Sequence, residues 1–253
     1  MKKSFLNASK PWITEMVQVP TVAQAIDKFR KAVKGGATAV GFQMSPLEKQ
    51  YRTRETLTQI FAEAKDLPIY FTNYRGGFNK GTGDEELLEG LLFGLDCGAT
   101  MVDVMGDAFC PQEEELTTDQ TAIKKQMKFI DKVHARGGEV LMSSHVYSFR
   151  PAERVLEIAL EQERRGADVV KIVTGAETQE EQLKNLEICD LLKRELKVPF
   201  LFLSGGTHSY LHRTIGPALG VFSWLCFNEY DETTYEGPPL LSDVIKLKQG
   251  LKL

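Results

Sequence analysis

Short apolar runs alternate along the chain with longer stretches in which apolar residues recur every three or four positions. The short runs are Trp12–Met16, Ala37–Gln43, Pro68–Thr72, Met101–Val104, Glu139–Ser143, Ala167–Val173, Pro199–Leu203 and Gly220–Cys226. They are rich in β-branched and aromatic residues and mostly continuous, as strands buried on both faces of a parallel sheet tend to be. The longer stretches read as amphipathic helices. Val22 to Val33 places Ala25, Phe29 and Val33 four apart, with Ile26 beside them. Glu85 to Leu95 carries Leu87, Leu88, Leu91 and Leu92. Pro151 opens a helix where a missing N–H costs nothing, Val155, Ile158 and Ala159 continue it, and Gly166 stops it. Thr178 followed by Glu181 is a capping box ahead of Leu183, Leu186 and Leu191.

Eight strands alternating with helices predict an α/β protein with a parallel sheet. Eight units within 253 residues favour a single (β/α)8 TIM barrel spanning 1–253 over a doubly wound sheet. The best Gly-rich stretch, Gly76 to Gly83, follows an arginine and lacks the G-x-G-x-x-G spacing of a dinucleotide fold. There is no Walker A sequence.

Composition narrows the function classes. A formal net charge of −4 with no basic stripe argues against a nucleic-acid partner. No apolar run reaches the roughly 18 residues of a spanning helix, so no membrane partner is expected. The start, Met1 to Trp12, opens with Lys2 and Lys3 but has no apolar core for a signal peptide, and a cytoplasmic location is the expectation. Cys97, Cys110, Cys189 and Cys226 are far apart with no zinc spacing, so reduced thiols and no metal are expected.

In a barrel the chemistry sits at the C-terminal ends of the strands. That rule selects Glu15, Gln43, Asn73 to Arg75, Asp103, His145, Lys171, Ser204 to Gly206 and Asn228. Lys171 lies in Asp168-Val169-Val170-Lys171-Ile172-Val173, where an ammonium is costly unless neutralised or paired. Burial disfavours an ammonium, and a neutral amine can attack a carbonyl to form an imine, an electron sink. The alternative is a lysine that snorkels to the barrel mouth. His145 ends the preceding strand, within reach of the same pocket, and suits general acid–base work. Arg75 and Arg213 could each fork onto a carboxylate, or form ordinary surface ion pairs. Tyr147 and His208 are further candidates for a polar lining. His208 and His212 share a helix face but lack the glutamate of a metalloprotease motif. Asp103 and Asp107 suit a supporting hydrogen-bond role, and Glu113 to Glu115 read as a solvated acidic stretch.

Phe71-Thr72-Asn73-Tyr74-Arg75, Met142-Ser143-Ser144-His145, Asp168-Val169-Val170-Lys171-Ile172 and Ser204-Gly205-Gly206 through Arg213 occur in an order that resembles the type I 3-dehydroquinate dehydratases. The resemblance runs from about Pro11 to the C-terminal helix. It implies a dehydratase in which Lys171 forms an imine with the substrate ketone. His145 would take the proton alpha to it and help the hydroxyl leave. Arg213 would hold the carboxylate, and Arg75 the hydroxyls or the pocket's order. Glu15, Gln43, Gly205 and Gly206 complete the expected substrate lining. The resemblance further implies no cofactor, no metal and a homodimer.

Several positions differ from that family. Gly41-Phe42-Gln43 stands where the family has a Glu-x-Arg pattern. Asn79 stands near the glutamate that supports the family histidine, and the Ser/Gln-bearing lid has no counterpart in Thr234 to Pro239. Thr174-Gly175-Ala176 also departs from the usual loop after the lysine strand. Three functions follow: dehydration of 3-dehydroquinate, imine-based lyase or aldolase chemistry on another oxo-acid or cyclic ketone, and a non-catalytic binding role on the same barrel.

Overall fold

The computed structural model describes residues 4–7 and 9–252; part of the N-terminal stretch read above for a signal peptide lies outside them. Eight parallel strands form one sheet in the order β7-β6-β5-β4-β3-β2-β1-β8. They are β1 (Trp12–Val17), β2 (Ala39–Gln43), β3 (Ile69–Thr72), β4 (Met101–Met105), β5 (Glu139–His145), β6 (Val169–Gly175), β7 (Phe200–Gly205) and β8 (Ser223–Cys226). A hydrogen bond from Phe222 N–H to the Phe200 carbonyl draws the start of β8 to β7, so the barrel is nearly closed. Helices alternate with the strands: α1 (Val22–Gly35), α2 (Arg54–Ala62), α3 (Asp84–Asp96), α4 (Gln120–Ala135), α5 (Ala152–Arg164), α6 (Gln179–Glu195), α7 (Tyr210–Ile215) and α8 (Leu241–Leu251). The expected (β/α)8 architecture is therefore observed.

Local chemistry explains most boundaries. Thr21 caps α1 by accepting from Gln24 N–H. The Thr178–Glu181 capping box forms at α6. Pro151 is the cap residue of α5 rather than its first helical residue. Gly166, at φ +99°, turns the chain out of α5. The strand predicted from Gly220 begins only at Ser223, because Gly220 at φ +111° closes a short 3-10 turn first. The expectation that β5 stops at Ser143 is also corrected, since its ladder with β6 continues to His145.

Both faces of the strands are buried. Outside the barrel wall, Phe29, Phe42, Phe61 and Phe71 pack ring against ring at 5.7–6.2 Å. Each fully buried ring contributes about 1.5–3 kcal/mol. Helix α3 reaches β3 closely enough that a Cβ on Gly94 would stand 2.4 Å from the Phe71 ring. No described helix is long and apolar enough to cross a membrane.

Candidate active site

The C-terminal ends of the strands surround a cavity of about 680 Å³. Alternation along β1 sends Met16 and Gln18 into it, while β5 and β6 contribute His145 and Lys171. Gln43, Arg75, Gly205, Gly206, Arg213 and Tyr147 also line it. A groove of similar size lies between α3 and α4 on the outer wall, but no strand end opens into it.

Lys171 forms the floor. It is 4% exposed, and its Nζ donates to Asp103 Oδ2 at 3.1 Å, Tyr74 Oη at 2.7 Å and Tyr70 Oη at 3.1 Å. The lysine is thus paired with a buried carboxylate. Asp103 is 2% exposed and also accepts from Ser143 Oγ and both phenols. Burial would raise its carboxyl, but Lys171, His145 and these hydrogen bonds hold it below the ordinary value. Burial and the Asp103 charge push both phenols well above theirs, so both stay protonated donors. Asp103 is therefore the direct partner of the amine, beyond the supporting role its sequence position suggested.

His145 is held from behind. Glu115 Oε2 accepts from its Nδ1 at 2.7 Å and from its backbone N–H at 3.0 Å. A carboxylate at Nδ1 fixes the tautomer and leaves Nε2 as the basic nitrogen; no described residue hydrogen-bonds Nε2. The Tyr74 ring meets His145 edge-on at 5.3 Å, and Tyr147 stacks on it at 5.9 Å. The acidic stretch is not simply solvated, as the sequence suggested. Glu115 takes φ +46°, and Glu114 accepts from Arg150 and Arg154 of the next unit. Buried Arg165 ties the same β4–α4 loop down by donating to the carbonyls of Gly106 and Thr117. This brace joins residues distant along the chain, and only the Arg150/Arg154 spacing hints at it. Asn79 does not stand behind the histidine; its amide donates to Asn73 and to the Tyr74 carbonyl, bracing the β3–α3 loop.

The two arginines differ. Both sides of the Arg75 fork are occupied, by Asp84 (2.8–2.9 Å) and by Asp107 (2.8 Å). It orders the rim and offers little to a substrate carboxylate, which corrects half of the expectation for it. Arg213 is 9% exposed, its Nε donates to the Ser204 carbonyl, and no carboxylate among the described residues pairs with it. Burial lowers its guanidinium below the ordinary value. An unpaired, buried guanidinium beside a cavity is a ready anion site.

Glu15 does not belong to this cavity. Strand alternation turns it outward, behind β1, into a small space shared with Lys28, Asn228 and Thr234. Asn228 falls in that space too. Asn73 donates to the Leu87 carbonyl, and the Ser204 hydroxyl accepts from the Asn185 side-chain amide, so both are engaged within the protein. Gly206, at φ +83°, is required, because a side chain there is strained and its Cβ would stand 2.8 Å from the Ala176 backbone carbonyl oxygen. His208 is not among the lining residues, and buried His212 lies 3.4 Å from Cys189 Sγ. No group of three or more metal-type ligands occurs among the described residues.

Comparison with known proteins agrees with this arrangement. The family model described as type I 3-dehydroquinase matches residues 15–243. The 3-dehydroquinate dehydratase of Klebsiella pneumoniae is 24% identical over 217 residues, covering 81% of each chain. The crystal structure of 3-dehydroquinate dehydratase from Geobacillus kaustophilus superposes with a TM-score of 0.81 at 16% identity, covering 98% of this chain and 93% of that one. The type I enzyme from Clostridium difficile, solved with covalently modified comenic acid, gives 0.81 at 15% identity, with 98% and 95% covered.

Proposed function

The chain belongs to the type I 3-dehydroquinase family, and on that premise we propose that it dehydrates 3-dehydroquinate to 3-dehydroshikimate through an imine on Lys171. One observation carries the reading: a buried amine and a carboxylate-backed imidazole line one cavity. The amine condenses with the ketone, and the iminium acidifies the adjacent C–H. Nε2 of His145 removes that proton, then returns a proton to the departing hydroxyl. Arg213 holds the substrate carboxylate, because no carboxylate among the described residues pairs with its buried guanidinium.

The experiment is borohydride trapping with 3-dehydroquinate, read by peptide mass spectrometry and by the ultraviolet absorbance of the conjugated product. The expected result is turnover with an adduct on Lys171, both absent in Lys171→Ala. Wild-type protein that forms no adduct would sink the assignment.

A second reading keeps the imine and changes the substrate. Arg75 is held by two carboxylates, and the Gln43 amide donates to Ser45. A site with fewer free donors for hydroxyl groups discriminates less well for a polyhydroxylated ring. This version predicts an adduct with another oxo-acid and none with 3-dehydroquinate.

A further inference from the structure

Imine formation moves more than one proton. A lysine ammonium and a ketone become an iminium and a water, so two protons pass from nitrogen to the carbonyl oxygen. Glu115 leaves His145 to work from Nε2, and no described hydrogen bond joins that nitrogen to Lys171. The groups in hydrogen-bond contact with the amine are the ones placed to move its protons.

Among the described residues, three side chains hydrogen-bond to Lys171 Nζ: Asp103, Tyr70 and Tyr74. Asp103 and Tyr70 lie beneath the cavity, and neither lines it. Tyr74 does line it. Its hydroxyl makes the shortest of the three contacts to the amine, at 2.7 Å, and donates to Asp103 Oδ2. One residue that borders the substrate space therefore also contacts the nucleophile and the buried carboxylate.

We propose that Tyr74 is a catalytic residue, whose hydroxyl carries protons between Lys171, Asp103 and the substrate carbonyl oxygen during imine formation. This rests on the imine reading above. In the first transfer Asp103 takes a proton from the ammonium. The amine lone pair forms the C–N bond, and the C=O π electrons move to oxygen. Tyr74 gives its proton to that oxygen and regains one from Asp103. In the second transfer the carbinolamine nitrogen releases a proton through the same pair. The C–O bond breaks, its electrons leave with water, and the nitrogen lone pair forms the C=N bond. The relay is concerted, since a free tyrosinate here is disfavoured by burial and by the neighbouring carboxylate.

The test separates imine formation from the later dehydration. Loss of oxygen-18 from labelled 3-dehydroquinate to water reports carbinolamine and imine formation alone. Tyr74→Phe is expected to slow this exchange roughly 100-fold. Tyr70→Phe, which also loses bonds to Lys171 and Asp103 but removes a phenol lying beneath the cavity, is expected to slow it by no more than about 10-fold. Wild-type exchange is expected to slow in deuterium oxide. Equal losses in the two variants, no loss in Tyr74→Phe, or a solvent isotope effect of one would each overturn the proposal. The same variants are also timed by borohydride trapping of 4-oxopentanoate, a simple keto-carboxylate. A wild-type protein that traps this ketone but not 3-dehydroquinate removes the substrate assignment and leaves the tyrosine comparison decisive. Trapping of neither overturns both.

Discussion

Two lysines are buried against carboxylates on opposite sides of the barrel wall, and their surroundings differ in one respect. At the cavity floor, Lys171 touches Asp103 directly, and the acid is held ionised below its ordinary range. Behind β1, Lys28 reaches past Glu15 to Asp231 at 2.5 Å and Glu229 at 3.1 Å. Glu15 is 1% exposed, and its Oε2 has no hydrogen-bond partner among the described residues. Burial pushes it up to about 8, with Lys28 only partly offsetting this. Asp231, by contrast, falls to about 2: burial opposes the shift, but hydrogen bonds from Lys28 and Thr233 outweigh it. Burial alone does not set protonation; a contact to the opposite charge decides it. The first pair lies at the floor of the cavity. The second pins the loop after β8, whose residues Tyr235 to Pro238 border the cavity.

Breaking the inner pair should have the largest effect. Asp103→Asn leaves the buried Lys171 charge without its counterion, at a cost of about 3–5 kcal/mol. Turnover should fall at least about 100-fold with it. Urea denaturation and the ultraviolet assay measure the two. An unchanged urea midpoint would mean that the pair is not ionic.

Glu15→Gln should act on stability alone, and in the opposite sense. Between pH 4.5 and about 8 the folded chain keeps a proton on Glu15 that the unfolded chain has released. Its contribution to stability therefore falls as pH rises through that window. Asp103 has the other sign: its contribution is complete above its unfolded value and is lost as pH falls through its folded one. Glu15→Gln should flatten the pH dependence and stabilise the protein at pH 8 by on the order of 2 kcal/mol. Thermal melts across that range check it; a variant less stable at pH 8 would show that the Glu15 charge is compensated.

The smallest change is expected from Lys28→Met. Its partners Glu229 and Asp231 are partly solvated, so the loss should stay near 1 kcal/mol. The effect should appear as a rise in KM of up to about threefold as the loop loosens, with kcat preserved. A collapse of kcat would show that the loop takes part in the chemistry.

Much of this architecture is legible in the order of residues. The alternation of apolar runs with helical periods, the Thr178–Glu181 box and Gly166 are local signals, and local physics suffices to read them. Lys171 within an apolar strand and His145 at a strand end were visible for the same reason, because a polar group in such a run demands an explanation. The partners were not. Glu115 and Glu114 belong to a loop whose sequence reads as solvated, Arg150 and Arg165 hold that loop from the next unit, and these contacts span about 30 to 60 positions of chain.

By itself the sequence determined a barrel of eight units and a mouth carrying a lysine, a histidine and two arginines. Only the folded chain decided which charges are spent on one another. Arg75 is used up by Asp84 and Asp107 while Arg213 pairs with no carboxylate among the described residues, and Glu15 faces away although it lies near the C-terminal end of β1. The reason is that strand alternation and loop closure set distances of a few ångströms between residues far apart in sequence, and at low dielectric those distances govern charge.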